Sequence, residues 1–375
     1  MKLFHLSDLH LGKRLKEFSL IEDQKYILKE ILTAAGREKP DGILIAGDIY
    51  DRSVPSEEAM KLWDDFLISL AEKKIPVFVV SGNHDSAIRL ADHGELIETM
   101  GIHFSPVYDG TVKCCTLKAG DESVFIYMLP FVKPAVVKSF FQDEEINDYT
   151  DACRVALSKA DIDHSATNIL IAHQFVTGAA RCESEEVVVG GLDNVNADVF
   201  DEFDYVALGH IHGKQNIGRE TVRYCGTPLK YSFSEKDHHK SITVVNINGK
   251  KVTLDEIPLT PLHDMREIKG TYEELTAKKN YENTSTEDYI HAILTDENDV
   301  LDAMGKLRVI YPNIMQITYD NTRTKERKEI CGIENIETKS PLELFEELFE
   351  KQNNTPMSEE QMKFITECIE RVWEG

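Results

Sequence analysis

The chain has no Cys-x-x-Cys pair, although it contains seven cysteines among its 375 residues. Without that spacing, the sequence fits neither a zinc knuckle nor a thioredoxin-like redox motif. Scattered cysteines indicate reduced thiols, as in a cytoplasmic protein. No apolar run approaches the ~20 residues that a membrane-spanning helix needs, and the first residues lack a secretory apolar core. We therefore expect a cytoplasmic protein that has no membrane contact.

An excess of positive charge is also missing. The chain carries 42 Lys and Arg residues against 66 Asp and Glu residues, and its formal net charge is −24. A protein that holds DNA by its overall field is more often basic. A contact with a polyanion must therefore depend on metal ions, on a local basic patch or on a partner chain.

Neither a Walker loop nor a Gly-x-Ser-x-Gly elbow is present, so the sequence predicts no ATP site of that type and no serine nucleophile. It contains instead short apolar runs that end in polar residues. The run Val77–Val80 leads into Gly82-Asn83-His84-Asp85, and the run Ile43–Ala46 leads into Gly47-Asp48. Such runs alternate with helical spacing, which predicts a parallel α/β fold whose strand carboxyl ends share one edge.

Later segments extend this pattern. A helix is predicted from about Ser86 to Met100. Three antiparallel strands are expected to finish a second sheet, at Val222–Cys225, Ser241–Ile247 and Lys251–Ile257. The resulting architecture is two facing sheets with helices outside.

Five predicted strand ends carry the same kinds of polar side chain. They are Asp8 and His10, Asp48 and Asp51, Asn83 and His84, His173, and His210 and His212. Removing so many charged donors from water at one point requires a compensating cation. Carboxylate, amide and imidazole ligands suit Mn²⁺, Fe or Zn, and the donors are too many for one ion. Two ions bridged by one carboxylate fit better, and such a pair clamps both oxygens of an in-line phosphoryl displacement.

The five blocks resemble the signature of calcineurin-like metallophosphoesterases. They are Asp8-x-His10, Gly47-Asp48-x-x-Asp51, Gly82-Asn83-His84-Asp85, His173 and Gly209-His210-x-His212. The resemblance implies a two-sheet sandwich flanked by helices and two metal ions, Mn²⁺ by preference, with Mg²⁺, Fe or Zn as alternatives. One ion would be held by Asp8, His10 and His212, the other by Asn83, His173 and His210, and Asp48 would bridge both.

The same resemblance assigns His84 to catalysis. It would stabilise the phosphorane-like transition state or assist the leaving oxygen. Archaeal and eukaryotic members of the family have a histidine at the position of Asp51, so a direct role of this residue on the substrate does not carry over. We expect instead that the Asp51 carboxylate orients and charges His84 through a hydrogen bond.

The pattern changes around residue 260. We predict a phosphoesterase domain at 1–260, a small α+β capping domain at 264–321, including a helix at Glu297–Lys306, a basic linker at 322–339, and two C-terminal helices at 340–375. Capping boxes at Ser340 and Ser358 begin those two helices. The basic run Arg323–Lys328 is either a charged linker or a DNA contact. The terminal helices either pack on the main body or await a partner helix, and we favour the partner.

Within the superfamily, the whole chain resembles the SbcD family, the bacterial Mre-type nuclease subunits, through His10-Leu11-Gly12-Lys13, the small domain and the terminal helices. This implies a Mn²⁺-dependent exonuclease, 3′ to 5′ on double-stranded DNA, and an endonuclease on single strands and hairpins, active in DNA recombination, repair and replication. It also implies a homodimer, with the helices after Pro55 and Ser86 as candidate contacts, inside a heterotetramer. The partner would be SbcC, a coiled-coil ABC-type ATPase that supplies the ATP dependence and DNA-binding surface.

Two other functions remain open. One is a metal-dependent phosphatase, or a phosphodiesterase for cyclic nucleotides or other small molecules, with the same centre. The residues beyond about 260 speak against it, because a simple phosphatase needs neither a cap nor a terminal hairpin. The other is a scaffold that has lost its metals, and the complete ligand set speaks against that.

Overall fold

The computed structural model describes residues 1–91, 97–105, 107–120, 122–185, 194–322 and 324, and scattered residues between 342 and 366. Its strands are β1 Lys2–Leu6, β2 Arg14–Leu15, β3 Phe18–Ser19, β4 Gly42–Ala46, β5 Val77–Val80, β6 Ile102–Ser105, β7 Lys113–Ala119, β8 Glu122–Leu129, β9 Thr167–His173, β10 Phe175–Val176, β11 Asn194–Val195, β12 Tyr205–Gly209, β13 Gln215–Ile217, β14 Arg219–Tyr224, β15 Ser241–Asn248, β16 Lys251–Pro258, β17 Met265–Gly270, β18 Tyr289–Leu294 and β19 Ile314–Tyr319. Its helices are α1 Ile21–Glu38, α2 Glu57–Glu72, α3 Ala87–Ala91, α4 Pro134–Phe140, α5 Tyr149–Ser158, α6 Tyr272–Thr276, α7 Lys278–Tyr281 and α8 Ala303–Arg308, with 3-10 turns at Ala197–Phe200 and Phe233–Glu235.

Two six-stranded sheets form the body of the protein. The first has the order β16-β15-β1-β4-β5-β6, in which β1, β4, β5 and β6 are parallel. The second has the order β13-β14-β12-β9-β8-β7, in which β14, β12, β9 and β8 are parallel. In both sheets the parallel strands bring several carboxyl ends to one edge, as the alternating pattern predicts.

The assignment of the later strands to the second sheet is wrong for two of the three. Strand β15 pairs with β1 in the first sheet, with Phe4 opposite Val244, and β16 pairs with β15. Strand β14 does join the second sheet, but it lies parallel to β12. Alternation along a strand tells which residues share a face, but it does not tell which neighbour the strand binds.

Buried apolar side chains fill the space between the two sheets. Two further apolar clusters lie between each sheet and the helices on its outer face. Leu44 and Phe78 of the first sheet pack in one buried cluster with Ile126, Ile171 and Ala207 of the second. Helices α1 and α2 cover the outer face of the first sheet, and α4 and α5 cover the second. The predicted two-sheet sandwich flanked by helices is therefore confirmed.

One predicted helix is described only in part, and a second differs from the observed one. Of the helix predicted from Ser86 to Met100, helix α3 is described, while residues 92–96 lie outside the described residues. The helix predicted to start at Glu297 starts at Ala303, because the side chain of Asp302 accepts a hydrogen bond from Gly305 N and caps it there.

A smaller unit follows β16. Its three strands, β17, β18 and β19, are parallel and alternate with helices. This alternation makes it an α/β unit rather than the predicted α+β unit. Its Tyr289 donates a 2.7 Å hydrogen bond to Asp23 on helix α1. The small unit therefore contacts the helices that cover the first sheet.

The remaining predictions concern the end of the chain. The basic run Arg323–Lys328 and most of the two C-terminal helices lie outside the described residues. Among the helices that the structure describes, none combines the length and apolarity needed to cross a bilayer.

Candidate metal centre

The centre is assembled by strand ends from both sheets. In the second sheet, Gly209 at the end of β12 stands opposite His173 at the end of β9. In the first, Ala46 at the end of β4 stands opposite Val80 at the end of β5. The polar residues that follow these strands therefore converge on one edge, and the sandwich brings the two edges together.

The loops at this edge adopt an unusual backbone conformation. Four of their residues have a positive φ angle, which residues other than glycine rarely adopt: Asp8 (52°), His10 (43°), Asp48 (50°) and His210 (102°). Main-chain hydrogen bonds hold two of these turns together, from Asp8 N to Gly47 O at 3.0 Å and from His10 N to Asp48 O at 2.9 Å. Strained backbone of this kind persists where the surrounding structure enforces it, and it is frequent at functional sites.

Close contact between the strand ends also explains two glycines. A Cβ atom on Gly209 would lie 1.8 Å from the carbonyl oxygen of Ala46, across the interface between the sheets. A Cβ atom on Gly82 would lie 2.1 Å from Oδ1 of Asp48. Only glycine permits these approaches, so the glycines of the sequence blocks serve to pack the loops against each other.

Asp8, His10 and His212 form a first cluster. Their donor atoms all lie within 4.8 Å of one another, and all three side chains are buried. Nε2 of His10 and Nε2 of His212 face each other at 3.2 Å. Donors bound to one ion at about 2.0–2.2 Å stand at roughly this separation, so the cluster has the dimensions of a metal site.

Asn83, His173 and His210 form a second cluster. Oδ1 of Asn83 lies 3.0 Å from Nε2 of His173 and 2.9 Å from Nδ1 of His210. His173 donates from Nδ1 to the carbonyl oxygen of Ala46 at 2.8 Å, which leaves a lone pair on Nε2 when the ring is neutral. Lone pairs of Nε2 and of Oδ1 then point at the same space, an arrangement that a cation stabilises.

Asp48 lies between the two clusters. Its Oδ2 atom is 3.6 Å from Nε2 of His10 and 3.4 Å from Nε2 of His173. Burial raises the pKa of Asp48, but the neighbouring His173 and His10 outweigh burial and hold that pKa well below its usual range. One carboxylate oxygen is thus ionised and directed at both clusters, as a bridging ligand must be.

The protonation of the histidines fits a pair of cations. Burial lowers the pKa of His210 to about 3, and it lowers the pKa of His10 well below its usual value, so both rings are neutral and can act as ligands. Burial also lowers the pKa of His173, but Asp48 and Asp8 outweigh it and raise that pKa to about 9. The carboxylates of Asp48 and Asp8 therefore favour a positive charge at the centre. In addition, Nε2 of His210 is buried without a hydrogen-bond partner among the described residues.

The predicted role of the Asp51 carboxylate is wrong. Nδ1 of His84 lies 3.0 Å from the main-chain carbonyl oxygen of Asp51, and it is this oxygen that orients the ring. The carboxylate instead forms a 2.7 Å ion pair with Lys13, whose ammonium group also lies over the ring of Tyr231. The backbone turn from Asp48 to Asp51 directs the carbonyl group of Asp51 toward His84. Because every residue type has this carbonyl group, the aspartate at position 51 does not predict the contact.

Several supporting residues were missed by sequence reasoning. Asp85, although part of a recognised block, received no role; its carboxylate accepts hydrogen bonds from Ile49 N, Tyr50 N and Gly82 N at 3.1, 3.0 and 2.9 Å, and so ties two loops together. Glu185 accepts a 2.6 Å bond from His212 N. Glu185 follows no strand and belongs to no recognised block, so the sequence offered no signal for it.

Known proteins resemble this chain over most of its length. It is 34% identical over 338 residues to the SbcD subunit of the nuclease SbcCD from Staphylococcus epidermidis, covering 88% of this chain and 89% of that protein. It is 35% identical over 322 residues to the corresponding SbcD subunit from Staphylococcus saprophyticus, covering 85% of this chain and 84% of that protein. Residues 1–214 match the family model of the calcineurin-like phosphoesterases.

The chain belongs to the SbcD family of calcineurin-like phosphoesterases. A second family model, SbcD_C, described as the type 5 capsule protein repressor C-terminal domain, matches residues 261–353. The resemblance of the sequence to the SbcD family is therefore confirmed. Members of the phosphoesterase family hold divalent metal ions, and this SbcD-family chain has candidate groups of metal donors at the edge where its strands end.

Proposed function

We propose that this chain is the nuclease subunit of an SbcCD-type complex and hydrolyses DNA phosphodiesters at two divalent metal ions, Mn²⁺ by preference. The observation that carries the proposal is the position of Asp48 Oδ2 between two largely buried donor clusters. Two divalent ions held by these clusters and sharing Asp48 would suit in-line displacement at phosphorus. The relatives from both staphylococci are themselves named as nuclease subunits of SbcCD.

The ligands would be divided between the ions by the two clusters. One ion would be bound by Asp8, His10 and His212, the other by Asn83, His173 and His210, with Asp48 shared. Bound divalent ions supply a hydroxide from water near neutral pH and neutralise charge on the phosphate oxygens. The remaining work at the reacting phosphate falls to side chains that are not ligands.

His84 is the side chain best placed for that work. Its Nδ1 donates to the carbonyl oxygen of Asp51, and its Nε2 lies 4.0 Å from Oδ2 of Asp48, so this nitrogen is directed at the space between the clusters. A proton held at Nε2 can be donated to the leaving oxygen or can stabilise the charge on phosphorus. The main-chain contact keeps the ring in this orientation whatever the charge of the ring.

Substrate would enter between the phosphoesterase domain, residues 1–260, and the capping domain, residues 264–321. A cleft of about 490 Å³ lies there, and its lining includes Tyr231, Lys16 and His291. The Tyr231 ring, which forms part of the cleft wall, stands 5.6 Å from the ring of His10, so the cleft lies next to the proposed metal centre. Lys16 supplies positive charge for a phosphate backbone, although the chain as a whole is acidic.

The finer activity follows that of the SbcD family. The chain would degrade double-stranded DNA ends 3′ to 5′ and cut single strands and hairpins, and it would act in DNA recombination, repair and replication. Its C-terminal helices at 340–375 would bind the coiled coil of SbcC, which would supply the dependence on ATP. Two copies would form a homodimer within the heterotetramer, in the cytoplasm.

A comparison of two substrates tests the proposal. The metal-stripped protein, with and without added Mn²⁺, is incubated with linear and hairpin DNA and, separately, with nitrophenyl phosphate. We expect Mn²⁺-dependent cleavage of DNA and slow turnover of the monoester. Rapid hydrolysis of nitrophenyl phosphate while the DNA stays intact would show that the protein is a phosphatase and not a nuclease. Absence of any bound Mn²⁺ would support the alternative that the protein is a scaffold that has lost its metals.

A further inference from the structure

A chain of buried and half-buried polar groups lies behind the ring of His212, on the side that faces away from the metal centre. Nδ1 of His212 is 2.7 Å from Oγ of Ser184, and that hydroxyl group donates to Oε1 of Glu235 at 2.6 Å. Glu235 is fully buried. Ser184 and Glu235 come from different segments of the chain, 28 residues before and 23 residues after His212 in the sequence.

The charge of Glu235 is compensated on its other side. Lys240, itself nearly buried, donates from Nζ to Oε2 of Glu235 at 2.5 Å. Thr227 Oγ1 lies 3.3 Å from the same oxygen, and Tyr231 N donates to Oε1 at 3.2 Å. A buried carboxylate that is so fully hydrogen-bonded has a fixed orientation. The relay from Glu235 through Ser184 to His212 is therefore rigid.

The direction of the hydrogen bonds follows from the contacts at the two ends. Glu235 can only accept, so the Ser184 hydroxyl group gives its proton to Glu235 and offers a lone pair to His212. Nδ1 of His212 then carries the ring proton and donates it to Ser184. Nε2 is left with its lone pair, and this is the nitrogen that faces His10 at 3.2 Å. The relay thus selects the tautomer that a metal ion needs.

We propose that Ser184 and Glu235 are positioning residues that hold His212 in the orientation and tautomer that bind a metal ion. The inference rests on the proposed metal centre and assigns to it two residues outside the sequence blocks. Carboxylates that act through the far nitrogen of a metal-bound histidine are common, and losing such a partner typically weakens metal binding by 10–100-fold. Here a serine hydroxyl group bridges carboxylate and ring, and Oε1 of Glu235 also lies 3.4 Å from Nδ1 of His212.

Three substitutions test the relay, with Mn²⁺ titration calorimetry on the metal-stripped full chain as the primary measurement. Ser184→Ala removes the nearer acceptor of the ring proton and leaves only the 3.4 Å contact between Nδ1 of His212 and Oε1 of Glu235, while it keeps the ion pair of Glu235 with Lys240. Ser184→Thr keeps the hydroxyl group. Ser105→Ala is the control, because the Ser105 hydroxyl group also donates to an oxygen acceptor, Met128 O at 3.1 Å, and this contact lies outside the centre.

We expect Ser184→Ala to weaken one of the two Mn²⁺ binding steps by about 10–100-fold, whereas Ser184→Thr and Ser105→Ala stay close to the unmodified protein. Turnover of DNA by Ser184→Ala should recover when Mn²⁺ is raised, since the residue touches no substrate. Glu235→Gln should weaken the same step; if it fails to fold because Lys240 loses its partner, Ser184→Ala still decides.

Two results would overturn the inference, and they are distinguishable. A folded Ser184→Ala protein that binds both Mn²⁺ ions as tightly as the unmodified chain would contradict the proposed relay. The proposed metal centre would stand. An unmodified chain that binds no Mn²⁺ removes the proposed function as well. A loss of thermal stability without a change in Mn²⁺ affinity would also count against the relay, because a purely structural role predicts that outcome.

Discussion

The histidines of the centre differ mainly in what lies behind each ring. His173 is held by the main-chain oxygen of Ala46 and His84 by that of Asp51, at 2.8 and 3.0 Å. His212 is held by the side chain of Ser184. Main-chain acceptors survive any substitution of the residue that carries them, whereas a side-chain acceptor does not. The sensitivity of each histidine to mutation of its neighbour should follow this difference.

Asp51→Asn tests the first half of that statement. The substitution leaves the carbonyl oxygen at position 51 in place, so His84 keeps its orientation while Lys13 loses the charge of its partner. We expect kcat on DNA to fall by less than about tenfold, well short of the 10²–10⁴ of a lost proton donor. The measurement is single-turnover cleavage at saturating Mn²⁺. A loss above a hundredfold in a folded protein would restore a role for the carboxylate.

His84→Ala should behave differently. Because His84 is assigned to the reacting phosphate and not to the ions, its removal should lower kcat by about 10²–10⁴ while two Mn²⁺ ions remain bound. Metal analysis of the same preparation separates the two effects. Asp48→Asn serves as the contrasting variant, since it should lose both metal and activity. Loss of Mn²⁺ from His84→Ala would show instead that this ring is a ligand.

At the scale of the elements, the strand ends pack too closely to accept a side chain. Gly209→Ala would place a methyl group 1.8 Å from Ala46 O, between β12 and β4. We expect a loss of about 1–3 kcal/mol in the free energy of unfolding, together with weaker Mn²⁺ binding, because the strands must separate. Urea denaturation gives the first quantity and calorimetry the second.

Gly36→Ala is the control for that experiment. Gly36 lies in helix α1, is exposed, and its added Cβ atom would meet no atom closer than 3.8 Å, the Nζ of Lys73. Alanine in a helix interior is favoured over glycine by about 1 kcal/mol, so this variant should be unchanged or more stable. Equal effects of the two substitutions would contradict the packing argument.

Local sequence predicted the elements of the site well and their neighbours poorly. The apolar runs and the polar residues after them identified the strands that end at the centre, because both signals are contained in a few consecutive residues. Strands β15 and β16 were placed in the wrong sheet, because pairing with β1 joins residues more than 230 positions apart, as in Leu3 with Val245. Nothing in the alternation of either strand records that partner.

At the scale of the whole molecule, the small α/β unit is joined to the phosphoesterase domain through apolar and polar contacts, and its Met265, Tyr289 and Met315 belong to the core cluster of the first sheet. Tyr289 and His263 both bind the buried carboxylate of Asp23, at 2.7 and 3.0 Å. Phe233 of the main body lies against His291 of the small unit, with ring centroids 5.3 Å apart. Phe233 and His291 line the cleft between the two units, so their contact helps to set the width available to the proposed substrate, whereas Asp23, His263 and Tyr289 line a separate cavity.

Tyr289→Phe should loosen that junction. It removes the hydrogen bond to Asp23, at a cost of about 1–3 kcal/mol because a buried carboxylate oxygen loses its donor. We expect faster proteolysis at residues 259–264 and lower activity on DNA, with little change on a small diester. Tyr319→Phe is the control, because Tyr319 bonds within the small unit, to Val300 N. Unchanged proteolysis in Tyr289→Phe would show that apolar contacts alone hold the two units together.

The sequence alone predicted the polar residues that the structure brings together and the strands that carry them, because residue type and short-range periodicity are properties of neighbouring positions. It also determined the family, through five blocks whose order and spacing survive without any knowledge of packing. Only the tertiary structure decided which sheet each late strand joins, that Asp51 acts on His84 through its main chain, and that Ser184 and Glu235 stand behind His212. Such contacts join distant segments through single atoms, and no local pattern specifies which atom of a residue another segment will meet.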